Sequence, residues 1–387
     1  MDRSELVNVE RIRRLTRESD LAAIVTASSE NTTYFSGSFD MDIPQLKGTH
    51  FVVWPSDADK DEAVLITHSR GPGFGGIGAF VPDIRTYDSN YLWHDDWGKP
   101  GPRASQLLAD VLTEKGLDRA KVGLEMRYVS ALLFDEIRSQ LPHVEFVDCT
   151  ALTELLRVVK TSAEIEHYHW AARITNRVIA VTYSMARPED SEKDLADWLG
   201  YHITRYGADT VMFNVVASGD RITQGHHFAE REILNPGNLF RVDYGGLFSG
   251  CITDMVRMGV VGEPSERQRT IYNKMIELQR RMVSRVRPGV LPCDLVRVAW
   301  EEYEEMGLPP DREVFGHCIE LDIHERPTWT IRETMPLERN MVICVEHGWV
   351  DQEANERYHI EEMYAITSDG VRLLSNYSGI DEMHVFE

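Results

Sequence analysis

The chain has 387 residues, of which 42% are hydrophobic, a length that suits two domains and a composition that supports a buried core. Its net charge of −22 argues against a nucleic-acid binder, which should be basic, and is compatible with small cationic or metal-bound substrates.

The opening stretch, "MDRSELVNVE", has neither the basic region nor the apolar core of a signal peptide. Ser4 is placed to cap a helix through "VERIRRLTRES", and the β-branched runs "AAIVTA", "THFVVWP" and "EAVLITH" predict strands. "GPGFGGIG" carries a GxGxxG pattern at Gly73, Gly75 and Gly78, but "AFVPDIRTYD" after it is β-leaning and broken by Pro82, so the segment reads as a loop. "YLWHDDW", with Trp93 and Trp97, is a candidate lid over a partner subunit's site or a plain surface loop. "RASQLLADVLTEKG" has helical period and ends on Gly116; "KVGLEM" is the next strand, "SALLFDEIRSQLP" the next helix and "VEFVDC" the next strand. An α/β domain over residues 1–155 accounts for this pattern, with a second domain over 156–387.

In the second part a long helix runs through "TSAEIEHYHWAARITNRVIAVTYSMARP" and another through "SEKDLADWLGYHITRYG". The β-rich stretches "TVMFNVVASG" and "NLFRVDYGGLFSGCITDMVRMGVV" follow. Helices return at "SERQRTIYNKMIELQRRMVSRVRPG" and "CDLVRVAWEEYEEMG", and strands at "MVICVEHGWV" and "YHIEEMYAITSDGVRLLS". Two helices then strands, twice over, predicts a duplicated ααβ-type unit. No apolar run approaches the ~18 residues a membrane helix needs. The cysteines Cys149, Cys251, Cys293, Cys318 and Cys344 are odd in number and lack CxxC spacing, which predicts reduced thiols and a cytoplasmic protein.

Carboxylates stand where strands should be apolar. Asp243 and Asp254 are eleven apart with the turn material "GGLFSG" between them, which predicts two strands of a hairpin with both side chains facing one way. Glu346 ends the apolar run "MVICV", and Glu361 follows Ile360. A buried carboxylate needs a cation, an arginine or a proton. Arg241 and Arg257 are available to the aspartates, and a metal is the other solution. In "GHCIELDIHERP" His317 and His324 lie seven residues apart among acids. An oxygen-rich set with one imidazole suits Mn, Fe, Co or Zn, and this many carboxylates suit two ions.

The order Asp243, Asp254, His317, Glu346, Glu361 resembles the pita-bread metallohydrolases: methionine aminopeptidase, aminopeptidase P, prolidase and creatinase. The echoes are "VDYGG" with an aspartate eleven residues on, "GH" with a second histidine seven on before Glu-x-Pro, and "IEEM" near the end. "ASGDRITQGHH" resembles the family's substrate-histidine loop and places His226 seventeen residues before Asp243. "ENTTYFSG" and "LLRVVKTSAEIEHYHWAARIT" resemble the creatinase–prolidase branch. The resemblance implies a creatinase-like N-terminal α/β domain followed by a pita-bread α+β catalytic domain. It further implies two divalent ions, with Asp243 chelating one, His317 and Glu346 the other, and Asp254 and Glu361 bridging. A water between two cations ionises near neutral pH. Glu346 matches the proton-shuttling glutamate, and His226 and His324 match contacts to the scissile carbonyl and its oxyanion; His227 is the weaker candidate beside His226.

The implied enzyme is a hydrolase of a C–N bond, an Xaa-Pro dipeptidase or aminopeptidase, acting as a homodimer on a short peptide or small molecule. Creatinase-like amidohydrolases, dimethylsulfoniopropionate lyases and metal-free binding modules share the fold. Gly245, where the lyases carry a further aspartate, speaks against the second, and the full ligand set against the third. The chain departs from the family at Cys318 and Glu320, which replace glycines, at His347, which replaces a proline, and at His359, where aminopeptidase P has arginine. It also has Glu313 in place of that enzyme's extra histidine. Added bulk and charge at Glu320 and His347 predict a narrowed pocket that favours dipeptide-sized substrates.

Overall fold

The β-branched runs of the first part become one sheet in the computed structural model, which describes residues 3–39, 49–69, 75–88, 103–309, 312–376 and 379–386. The chain divides into two units, Met1–Thr161 and Ser162–Glu387. The first comprises α1 (Val9–Glu18), β1 (Ala23–Thr26), α2 (Ser29–Ser36), β2 (Phe51–Pro55), β3 (Val64–Ser69) and β4 (Asp83–Asp88). It continues with α3 (Ala104–Glu114), β5 (Lys121–Leu124), α4 (Ala131–Gln140), β6 (Glu145–Asp148) and α5 (Thr150–Arg157). The sheet order is β4-β3-β2-β1-β5-β6, and Val25, Val53, Ile66, Leu108, Leu112 and Val122 build its core.

One local expectation changes. The α1 cap is Asn8, whose side chain accepts the Arg11 amide at 3.1 Å, while Ser4 lies in a separate short turn. A cap must immediately precede the first helical turn, and Ser4 is too far upstream to reach it. "ENTTYFSG" is helical: Ser28 caps α2, and Gly37, at φ 75°, closes it in the left-handed region. Of the glycine-rich segment, Gly73 lies outside the described residues, Gly75 and Gly78 have positive φ, and the chain then enters strand β4. A phosphate cradle needs a helix N-terminus at that point. The "YLWHDDW" segment also lies outside the described residues.

The second unit comprises α6 (Ser162–Met185), α7 (Glu192–Arg205), β7 (Thr210–Ser218), β8 (Leu239–Phe248), β9 (Cys251–Ile252) and β10 (Met255–Val261). The second half adds α8 (Glu266–Arg285), α9 (Pro292–Glu305), β11 (Gly316–Cys318), β12 (Val342–Asp351) and β13 (Glu356–Ile366), then β14 (Val371–Leu373) and β15 (His384–Phe386). Its main sheet runs β11-β12-β13-β10-β8-β7. The halves β7-β8-β10 and β11-β12-β13, each preceded by two helices, meet where β10 pairs β13, which is the duplication that the helix–strand order predicts.

Helices cover one face of this sheet. From it the Tyr244 hydroxyl donates to the Leu199 carbonyl of α7 at 2.7 Å, and Arg257 donates to Asn176 of α6 and pairs with Glu362 at 2.7 Å. On the same side His347 meets the Tyr303 hydroxyl of α9 at 3.2 Å. Side chains alternate along a strand, so the neighbours of these residues point to the opposite face.

Candidate metal centre

Cross-strand register gathers the predicted residues. Asp243 of β8 lies opposite Val256 of β10, Val256 opposite Glu361 of β13, and Glu361 opposite Glu346 of β12. His317 of β11 lies opposite Cys344, two residues before Glu346. Directly opposed residues share a face, as do residues two apart on one strand. Asp243, His317, Cys344, Glu346, His359 and Glu361 therefore share the face away from the helices, and Asp254, two residues before Val256, joins them. The chain breaks strand pairing at Thr253 and Asp254 between β9 and β10, which reconciles an odd spacing with a common face.

The donor atoms fall into three overlapping groups, each within 4.8 Å: Asp254, His317, Cys344 and Glu361; His317, His324 and Glu346; and Glu346, His359 and Glu361. Nε2 of His317 is 3.5 Å from Glu361 and 3.9 Å from Asp254. Asp243 sits at the margin, outside these groups, with its carboxylate 3.8 Å from His226 and 4.0 Å from both Arg241 and His359. Neither of the two arginines expected from the sequence neutralises the cluster, because Arg257 is committed to Glu362 on the other face and Arg241 stays at that margin; Arg312 reaches only Glu346.

Burial, then the neighbouring Glu361, raises the Asp254 carboxyl well above its ordinary range. Burial pushes Glu361 up to about 7 against the pull of His317. For Glu346 the sign reverses: burial is outweighed by the Arg312 guanidinium at 2.6 Å and His359 at 3.1 Å, which hold it well below the usual range. Burial drives His359 down to about 3, and its neutral ring accepts from Arg241 at Nδ1 and donates from Nε2 to Glu346. His317 Nδ1 donates to the Cys318 carbonyl at 3.0 Å, so Nε2 turns its lone pair toward the carboxylates.

That leaves Asp254 Oδ1, His317 Nε2 and Glu361 Oε1 buried without a hydrogen-bond partner. Glu125 in the first unit shows the alternative: fully buried, it accepts from Ala27 N at 2.6 Å, Ser28 N at 2.8 Å and Thr153 Oγ1 at 2.6 Å. Unpaired buried charges cost several kcal/mol each, and converging lone pairs need a cation or protons between them. The residues fit divalent metal. A stability consequence follows. Carboxyls whose folded-state pKa is raised release protons more readily when unfolded, so metal-free stability falls as pH climbs from the unfolded value near 4.5 toward 7. The melting temperature of chelated protein is expected to drop between about pH 5 and 8, less so for Glu361→Gln, and saturating metal to flatten the slope. A metal-free melting temperature that rises through that window would contradict these electrostatics.

His324 packs edge-on against His317 with ring centroids 4.5 Å apart, and burial followed by His317 lowers its pKa. His226 points an exposed ring at Asp243, whereas His227 turns to Glu192 at 3.9 Å. Sequence reasoning passed over three neighbours of the centre: Cys344, Arg312 and a direct contact from His359 to Glu346. The two-residue strand period before Glu346 and Glu361 marks Cys344 and His359; Arg312, in a loop, has no such signal.

Two departures were misplaced. His347 is fully buried on the helix-covered face, against Tyr303. Glu320 is buried and receives the Ile252 amide on its backbone carbonyl at 2.9 Å; burial above all, then Cys251 and the Glu320 carboxylate, raise the phenol of Tyr168 in α6. His347 does not narrow the pocket as expected, because it directly follows Glu346 on β12 and so points to the opposite face.

Both parts of the chain match known protein families. Residues 166–368 match the metallopeptidase family M24, and residues 8–159 match the creatinase/prolidase N-terminal domain. The chain is 30% identical to the Xaa-Pro dipeptidase of Pyrococcus furiosus over 95% of its length and 97% of that protein's. It is 27% identical to the uncharacterized peptidase YqhT of Bacillus subtilis over 78% of this chain and 86% of that one. The X-Pro aminopeptidase of Thermotoga maritima superposes with a TM-score of 0.79 at 25% identity, covering 96% and 99% of the two chains. An Xaa-Pro dipeptidase from Bacillus anthracis shares the fold with a TM-score of 0.81 at 24% identity, over 97% and 98%. An α/β unit leading into a duplicated sheet that gathers carboxylates and histidine on its open face is the pita-bread architecture, and the chain belongs to the M24 metallopeptidases, a hydrolase family dependent on divalent metal, in its creatinase–prolidase branch.

Proposed function

We propose that this metallopeptidase hydrolyses Xaa-Pro bonds in short peptides, using two divalent ions held by Asp243, Asp254, His317, Glu346 and Glu361. The observation that carries this reading is the set of orphaned, buried donors on one sheet face, in a chain similar to an Xaa-Pro dipeptidase over nearly its whole length. Asp243 would hold one ion and His317 with Glu346 the other, with Asp254 and Glu361 available to both. When bound, a metal pair supplies a water nucleophile that is ionised at neutral pH.

The chain's own groups do the rest. Arg312 and His359 both grip Oε2 of Glu346, which fixes the carboxylate and leaves Oε1 to take the proton from water and pass it to the leaving nitrogen. His226 and His324 flank the centre, with Nε2 of His226 close to Asp243 and the His324 ring against His317. There they hold the scissile carbonyl and its tetrahedral oxyanion. The acidic face favours a substrate with a free ammonium group. A homodimer in the cytoplasm completes the proposal; the five cysteines, all buried thiols, suit a reducing compartment. No helix of the described residues is long and apolar enough to cross a membrane.

The test is an activity screen of purified protein with Mn, Co, Zn and Fe against Xaa-Pro dipeptides, longer Xaa-Pro peptides and creatine-like compounds. Chelator-sensitive cleavage before proline is expected. Turnover confined to creatine-like compounds would move the protein to the amidohydrolase reading of the same centre.

A further inference from the structure

The thiol of Cys344 has no role in the function proposed above, yet register sets it opposite His317 of β11 on one side and Met363 of β13 on the other. It is fully buried on the face that carries the carboxylates, and its Sγ lies within 4.8 Å of a His317 nitrogen and of oxygens of Asp254 and Glu361. Ligands at about 2.1 Å for nitrogen or oxygen and about 2.3 Å for sulfur can be at most about 4.4 Å apart on one ion. In a tetrahedral set such ligands stand about 3.4–3.6 Å apart, so side-chain shifts on the order of an ångström would bring the four atoms onto one ion. The second observation is independent of the cysteine: Nε2 of His317, Oδ1 of Asp254 and Oε1 of Glu361 are all buried and without a hydrogen-bond partner. Among the described residues, Cys149, Cys251, Cys293 and Cys318 are equally buried but join no such group.

We propose that Cys344 is a further ligand of the ion held by His317, adding a sulfur donor to the nitrogen of His317 and the oxygens of Asp254, Glu346 and Glu361. The inference rests on the reading of this cluster as a metal centre, and adds to it a donor that changes its chemistry. A set of three oxygens and one imidazole would accept manganese readily, whereas a thiolate favours zinc, cobalt or iron. When the ion binds, the S–H bond breaks, the sulfur keeps the electron pair as it bonds to metal, and the proton leaves to solvent. Met363 does not compete for this role, because its sulfur accepts the Asp254 amide at 3.4 Å.

Two measurements decide it. X-ray absorption of the zinc-loaded, unmodified protein should show a sulfur scatterer at about 2.3 Å; a shell of nitrogen and oxygen alone at about 2.0–2.1 Å would overturn the proposal without recourse to any variant. The cobalt-loaded protein should show a thiolate-to-metal charge-transfer band in the near ultraviolet. Cys344→Ser should lose that band, keep the visible ligand-field bands, and lower the ratio of zinc to manganese affinity on the order of tenfold. Cobalt binding with ligand-field bands but no charge-transfer band in the unmodified protein removes Cys344 as a ligand and leaves the metal centre standing. Failure to bind cobalt or zinc at all removes both.

Discussion

Asp254→Ala and Glu361→Ala are each expected to empty both metal positions and to lower kcat/KM by at least about 10³-fold, since ions contribute several kcal/mol to the transition state and 1.36 kcal/mol is a factor of ten. Both side chains are buried, both offer an oxygen with no other partner, and both reach the His317 nitrogen. A carboxylate placed between two cations cannot be removed without loosening both. Metal analysis of the purified variants reads the loss directly. The metal-free state supplies a control for misfolding. There the deletion removes one of a set of repelling carboxylates, so the chelated variant should melt no lower than the chelated parent at about pH 8. A variant that keeps full metal content and activity would show that the carboxylate does not bridge.

The histidines are expected to separate by metal content. His317→Ala should lose metal, because its Nε2 is turned into the cluster by the Nδ1 bond to the Cys318 carbonyl. His226→Ala and His324→Ala should retain metal and lose kcat, each by about 10²–10³-fold, the usual cost of removing one oxyanion contact. Exposure supports the division: His317 is fully buried, whereas the rings of His226 and His324 reach solvent, where a substrate can meet them. His227→Ala is the control, since its ring faces Glu192. Equal metal loss in His226, His317 and His324 variants would defeat this assignment of roles.

The sequence by itself carried the residue types, their order and the local elements. Period and turn chemistry placed β1, β2, β3, β8, β10, β12 and β13 to within a few residues, and carboxylates inside those apolar runs announced that something must neutralise them. Cys344 and His359 were within reach of the same logic, being two residues before Glu346 and Glu361. Only the tertiary structure decided which face is which. Alternation along a strand says that Glu346 and His347 point apart, but not which of them meets helix α9 and which meets the centre. That choice depends on pairings between segments far apart in the chain, such as Val256 with Glu361 and His317 with Cys344. The tertiary fold likewise brings Arg312, from a loop, onto Glu346. Local propensity is set by a residue and its near neighbours, whereas the face a strand presents is set by which distant strand buries the more apolar side, and a single sequence does not contain that register in any local form.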